Sequence, residues 1–143
     1  MRIGVTIDSP DRDIDGCVAI CLKLASAGHE AFLVPMYYQG LELPRLGVDL
    51  LLANYCRRAN EDLLRTLSEE GVVISVLDQE GAVWESLEQY CHSYPENSFD
   101  YISQIFTWGN MQKTALEKYF KNSLAKIVTT GHPRLDFLNF TNG

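Results

Sequence analysis

Glycine-rich phosphate loops, paired cysteine motifs and basic clusters are all missing from this chain, and each absence removes a class of function. Twelve Lys and Arg stand against nineteen Asp and Glu, for a net charge of -7. Nucleic acid is excluded as a partner, because phosphate binding needs clustered cations. An anionic membrane surface held by charge alone is excluded too. Arg57-Arg58 is only a pair. The four cysteines form no Cys-x-x-Cys: Cys17 and Cys21 lie one helical turn apart, and Cys56 and Cys91 stand alone. Zinc is not expected from that spacing, nor any other metal; small buried thiols in a reducing compartment are. Met1-Arg2 runs straight into Ile3-Gly4-Val5-Thr6-Ile7, which does not read as a signal peptide. No apolar run approaches the length that spans a bilayer. The expectation is a cytoplasmic chain, with a peripheral place at the inner face of the membrane left open.

What is present is an alternation of strand and helix. Of the 143 residues, 46% are hydrophobic and 22% charged, the balance of a globular domain with a real core. Residues 2–8 form an apolar run. Ile14, Cys17, Val18, Cys21, Leu22 and Ala25 recur at helical spacing, and Gly28 stops that helix. Residues 31–34 and 48–54 read as strands. A helix capped by Asn60 buries Leu63, Leu64 and Leu67 and ends at Gly71. Val72 to Leu77 is apolar throughout, as a strand buried on both faces should be. A short helix over 82–91, a strand over 101–106, a helix over 110–120 and a strand over 125–129 follow. Residues 37–47 and 92–99 read as surface loops. The pattern predicts one Rossmann-like α/β domain over 1–143, three layers deep, with a parallel sheet of about six strands in the order 3-2-1-4-5-6.

Ligands of such folds bind beyond the carboxyl ends of the strands, so the residues that follow each strand are the candidates. The first loop, from Asp8 to Gly16, holds four acidic residues and one glycine. A dinucleotide loop needs close backbone approach to a pyrophosphate, so NAD or FAD is not expected, nor any other cofactor. Asp11 and Asp13 suit helix capping. Arg12 suits either ion pairing within the loop or a ligand carboxylate or phosphate, as Asp8 beside it suits a ligand. Asp78-Gln79-Glu80-Gly81 is the catalytic candidate. A carboxylate at a strand end followed by a permissive glycine is the makings of a general base, although Asp78 would also cap a helix and Glu80 would also be a solvated surface group. His132 and Arg134 follow the last strand, with Pro133 suited to a first helical turn. They face a ligand, or Arg134 pairs locally with Asp136. Trp108 packs under the preceding helix or lines the cleft. His29 and His92 read as surface residues.

Arg12-Asp13-Ile14-Asp15, Leu24-Ala25-Ser26-Ala27-Gly28-His29-Glu30, Leu77-Asp78-Gln79-Glu80-Gly81, Trp108-Gly109 and Thr130-Gly131-His132-Pro133-Arg134-Leu135-Asp136 occur in that order. Together they resemble the N-terminal half of the bacterial surface carbohydrate biosynthesis proteins, which are similar to glycosyltransferases of the two-domain GT-B type. Related closing motifs occur in Kdo transferases and in glycerol-phosphate polymerases. The resemblance covers nearly all of this chain and about half of a typical member. Gln79 stands where a second acidic residue is expected, and His132 where many relatives carry Asn.

The resemblance implies transfer of a sugar from a nucleotide donor to a surface polysaccharide, without a bound metal. This domain would hold the carbohydrate acceptor. The nucleotide sugar would bind a second domain or a partner chain. Asp78 or Glu80 would be the base, and Asp8, Arg12, Gly81, Trp108, His132 and Arg134 would contact substrate. Tyr37, Tyr38 and Leu41 would leave an apolar patch favouring self-association. The isolated domain would then be inactive. The alternative is a non-catalytic Rossmann-like binding or scaffold subunit. A phosphoacceptor receiver is disfavoured, since Trp108-Gly109 stands where its Lys is needed.

Overall fold

The computed structural model describes residues 1–121 and 125–136. Strands and helices alternate as β1 (Arg2–Ile7), α1 (Pro10–Ser26), β2 (Glu30–Pro35), a 3-10 turn (Met36–Tyr38), α2 (Gln39–Leu46), β3 (Leu50–Ala53), α3 (Glu61–Glu69), β4 (Val73–Leu77), α4 (Leu87–His92), α5 (Ser98–Tyr101), β5 (Ile102–Thr107), α6 (Asn110–Tyr119), β6 (Lys126–Thr129) and α7 (Pro133–Asp136). All strand pairings are parallel, in one six-stranded sheet. This is the expected Rossmann-like α/β/α class.

The strand order differs from the expected one. It is β2-β1-β3-β4-β5-β6, so β3 lies beside β1 and β2 forms the edge. Ile3 pairs with Ala31 on one side and with Leu50 on the other. The side chains explain the choice. β2 leaves Leu33 38% exposed and ends in Pro35, which has no N–H to donate and suits an edge. Leu51 and Ala53 of β3 are fully buried and belong inside. The chain therefore steps outward once, from β1 to β2, and then back across β1 toward β6. Right-handed crossovers put α1 on one face and α2 to α6 on the other. The buried residues divide accordingly: Cys17 joins Ile3, Val5 and Ile7, while Leu43, Leu64, Tyr90, Phe99 and Leu116 join Leu51, Ile74, Val76 and Ile105. Fully burying each such side chain contributes roughly 1.5–3 kcal/mol.

Two local differences have physical causes. Helix α1 begins at Pro10, with Ser9 as its N-cap, so Asp11 and Asp13 fall inside its first turn rather than before it. Residues 39–46 are helical despite Gly40 and Pro44, because Leu43 is fully buried against Gly4, where an added Cβ would lie 3.0 Å from Leu43 Cδ2. Gly47, at φ 56°, ends that helix in the left-handed region. Residues 98–101 form a helical turn where loop was expected to 99 and strand from 101, so the strand begins at Ile102. Among the described residues no helix is long and apolar enough to cross a membrane.

Candidate functional site

The strand order reverses between β1 and β3, the switch point at which folds of this kind present a crevice beyond the carboxyl ends of the strands. The loops after β1, β4, β5 and β6 meet there. Asp13 is their hub. Its side chain is fully buried and accepts from Arg12 Nε at 2.7 Å, from Arg12 NH2 at 2.8 Å, from Arg134 NH2 at 3.2 Å and from the Ser9 N–H at 3.2 Å. Burial pushes this carboxyl up, but the Arg12 and Ser9 hydrogen bonds and the two guanidinium charges outweigh it, leaving it below its usual range. The hydrogen bond to Asp13 in turn holds Arg12 above its own usual range.

Arg12 reaches further, to Asp8 at 3.1 Å and to Glu80 at 3.7 Å. Arg134 also donates to the Gln79 carbonyl at 3.1 Å. Its partner is thus Asp13 on α1, and no ion pair to the adjacent Asp136 forms. Arg12, Glu80 and Arg134 each keep about a third of their side chain in solvent. They form the open rim of the crevice, with Asp8 beneath them.

Asp78 does not face this rim. It is fully buried. Its Oδ2 accepts from Arg57 NH2 at 2.6 Å and from Tyr94 OH at 3.2 Å, and its Oδ1 from the Glu80 N–H at 2.9 Å. Burial lowers Arg57, but the Asp78 charge outweighs it and leaves the guanidinium raised. Burial, then the Asp78 charge, pushes the Tyr94 hydroxyl well above its usual range. A carboxylate so enclosed holds the loop in shape, which leaves Glu80 as the loop's ligand-accessible acid. Arg57 lay among the residues that follow the third strand, Asn54 to Arg58, and so among the candidates, while Tyr94 carried no signal beyond a loop tyrosine; nothing in sequence joined either to Asp78, which both reach from distant segments.

Trp108 joins the two halves of the site. Its Nε1 donates to the Asp78 carbonyl at 2.6 Å, and its ring lies 4.2 Å from His132 and 5.7 Å from the Arg134 guanidinium. Gly81 packs directly beneath it; a Cβ there would stand 2.8 Å from Trp108 Nε1. Gln112 locks this contact by accepting from the Trp108 N–H at 2.8 Å and donating to the Gly81 carbonyl. Nothing in the sequence singled out Gln112. His132 is 3% exposed. Burial, reinforced by the Arg134 charge, pulls it down to about 4, so the ring is neutral at pH 7. The Arg134 N–H donates to Nδ1 at 3.2 Å, which assigns the ring proton to Nε2. That Nε2 is buried with no partner among the described residues.

Asp8, Arg12, Asp78, Glu80, Gly81, Trp108, His132 and Arg134 therefore share one end of the sheet, in two layers. An outer layer of Arg12, Glu80 and Arg134 rests on an inner layer of Asp13, Asp78, Trp108 and His132. Chemically the outer layer offers one part-exposed carboxylate, Glu80, 3.7 Å from Arg12, which can accept a hydroxyl proton. Arg12 and Arg134 are already paired with Asp8, Asp13 and Glu80, three carboxylates to two guanidinium groups. No family model matches this chain, and no curated protein matches it.

Proposed function

We propose that this chain is the acceptor-side domain of a GT-B-type glycosyltransferase of bacterial surface polysaccharide synthesis, with the nucleotide sugar bound by a second domain or a partner chain. The observation that carries the reading is Glu80: a part-exposed carboxylate on a loop held by Asp78 and Trp108, 3.7 Å from Arg12. In this reading Glu80 takes the proton of an acceptor hydroxyl as its oxygen bonds to the donor's sugar carbon. The bond from that carbon to the nucleotide phosphate breaks, and its electron pair leaves with the phosphate. Arg12 and Arg134 face the negative charge that develops. Asp78 has no proton-transfer role in this scheme.

Glu80→Gln in the completed transferase tests the assignment. Loss of a general base lowers kcat by about a hundredfold or more, with KM little changed. An unchanged kcat removes Glu80 from the chemistry. The second reading, a non-catalytic binding or scaffold subunit, draws its support from the strand order, since β2-β1-β3-β4-β5 is the arrangement of flavodoxin-like domains. Retained transfer by a complex lacking this chain would favour it.

A further inference from the structure

A second concavity lies beside the crevice, between the start of α3, the loop after β4 and helix α4. Its volume is about 1020 Å³, at the upper end of what small-molecule sites enclose. Its floor is aromatic and cationic. The Arg57 guanidinium lies 5.2 Å from the Trp84 ring and 5.1 Å from the Tyr94 ring. At the far wall the His92 ring meets Tyr119 edge-on at 4.9 Å.

The charge of the lining is informative. Arg57 is neutralised by the buried Asp78 at 2.6 Å. That leaves Arg58 facing Glu61 and Glu96, an acidic excess. A phosphorylated or carboxylated ligand would meet two carboxylates at close range. A neutral polyol meets acceptors for its hydroxyls in the same groups and donors in Arg58 and Gln89. Tyr94 is buried, so Tyr119, 44% exposed, and the half-buried Trp84 are the rings open to the C–H face of a sugar.

We propose that this pocket binds an uncharged oligosaccharide. The ligand's role as acceptor rests on the reading above; its chemistry rests on the lining alone. Asp78 links the two places, with Oδ2 on Arg57 at the pocket and Oδ1 on the Glu80 N–H at the crevice. A chain seated over Arg57 and Trp84 would end near Glu80.

The test is a titration of the isotopically labelled chain with maltotriose and chitotriose, against glucose 6-phosphate and glucuronate, read by amide and indole NMR signals. The expected result is saturable shifts at Arg58, Trp84 and Tyr119 with a neutral trisaccharide, and binding about tenfold weaker in Trp84→Leu and Arg58→Gln. Lys23→Gln, exposed on α1 and away from the pocket, should leave the affinity unchanged. Tighter binding of the anionic sugars would overturn the proposal. So would neutral trisaccharide shifts confined to Arg12, Trp108 and Arg134, which would leave the acceptor-side reading standing. No response to either neutral trisaccharide would overturn the pocket and leave the Glu80 assignment to its own turnover test.

Discussion

Asp13 and Arg134 are 121 residues apart in the chain and 3.2 Å apart in the fold. This contact ties the helix after the last strand to the helix after the first. Removing Asp13 would leave Arg12 and Arg134 without their shared buried carboxylate. Asp13→Ala should cost about 1–3 kcal/mol, because the two guanidinium groups it releases keep some contact with solvent and Arg12 keeps Asp8. Denaturant unfolding measures it. A cost under about 1 kcal/mol would mean that the hub is replaceable by solvent.

Asp78 and Arg57 form the second buried pair. Asp78→Asn keeps the shape but removes the charge, and should destabilise the domain by a few kcal/mol, on the order of 3. Tyr94→Phe should cost about 1 kcal/mol. A double-mutant cycle on Arg57→Gln and Asp78→Asn should return a coupling of about 1 kcal/mol or more. Strict additivity would separate the two residues. Full stability of Asp78→Asn with lost turnover would restore Asp78 as the base.

The strands were legible because their apolar runs are continuous, Val73–Leu77 most of all. The gathering of Asp8, Arg12, Glu80, Trp108 and His132 at one end of the sheet was legible because the loops that follow parallel strands all lie at that end. The strand order was not: Pro35 at the end of β2 is the one edge signal in the sequence, and only packing shows that Leu51 and Ala53 are enclosed and Leu33 is not. The depth of Asp78 was hidden for a related reason. Its sequence neighbours Gln79, Glu80 and Gly81 suggest an open acidic loop, while the groups that enclose it, Arg57 and Tyr94, come from other segments. Helix α2 was obscured by Gly40 and Pro44, whose local preferences yield to burial of Leu43.

Gly81 has no room for a methyl group. Gly81→Ala would put a Cβ 2.8 Å from Trp108 Nε1 and 3.0 Å from Gln112 Nε2. Both neighbours are held by hydrogen bonds, so relief means breaking the Trp108 bond to the Asp78 carbonyl. The expected cost is about 1–3 kcal/mol, the range for overpacking. It should come with a shift in the Trp108 indole N–H signal. An unmoved indole signal and unchanged stability would show that the loop yields freely.

His132 gives the fold an acid-sensitive element. Its pKa falls from 6.5 to about 4 on folding, because burial and the Arg134 charge disfavour the cation. The native state therefore binds fewer protons than the unfolded chain between those values. Its contribution is complete above pH 6.5 and is lost as pH falls toward 4. The full loss is about 3 kcal/mol. His132→Asn should flatten the stability profile in that window, whatever it does to stability at pH 7. An equal slope in the two proteins would assign the acid sensitivity elsewhere.

The central claim is that this domain serves the acceptor and not the donor. Calorimetry of the purified chain against a neutral trisaccharide and against nucleotide sugars tests it most directly. The account predicts saturable binding of the trisaccharide and none of the nucleotide sugars. Saturable binding of a nucleotide sugar, with the trisaccharide silent, would contradict it.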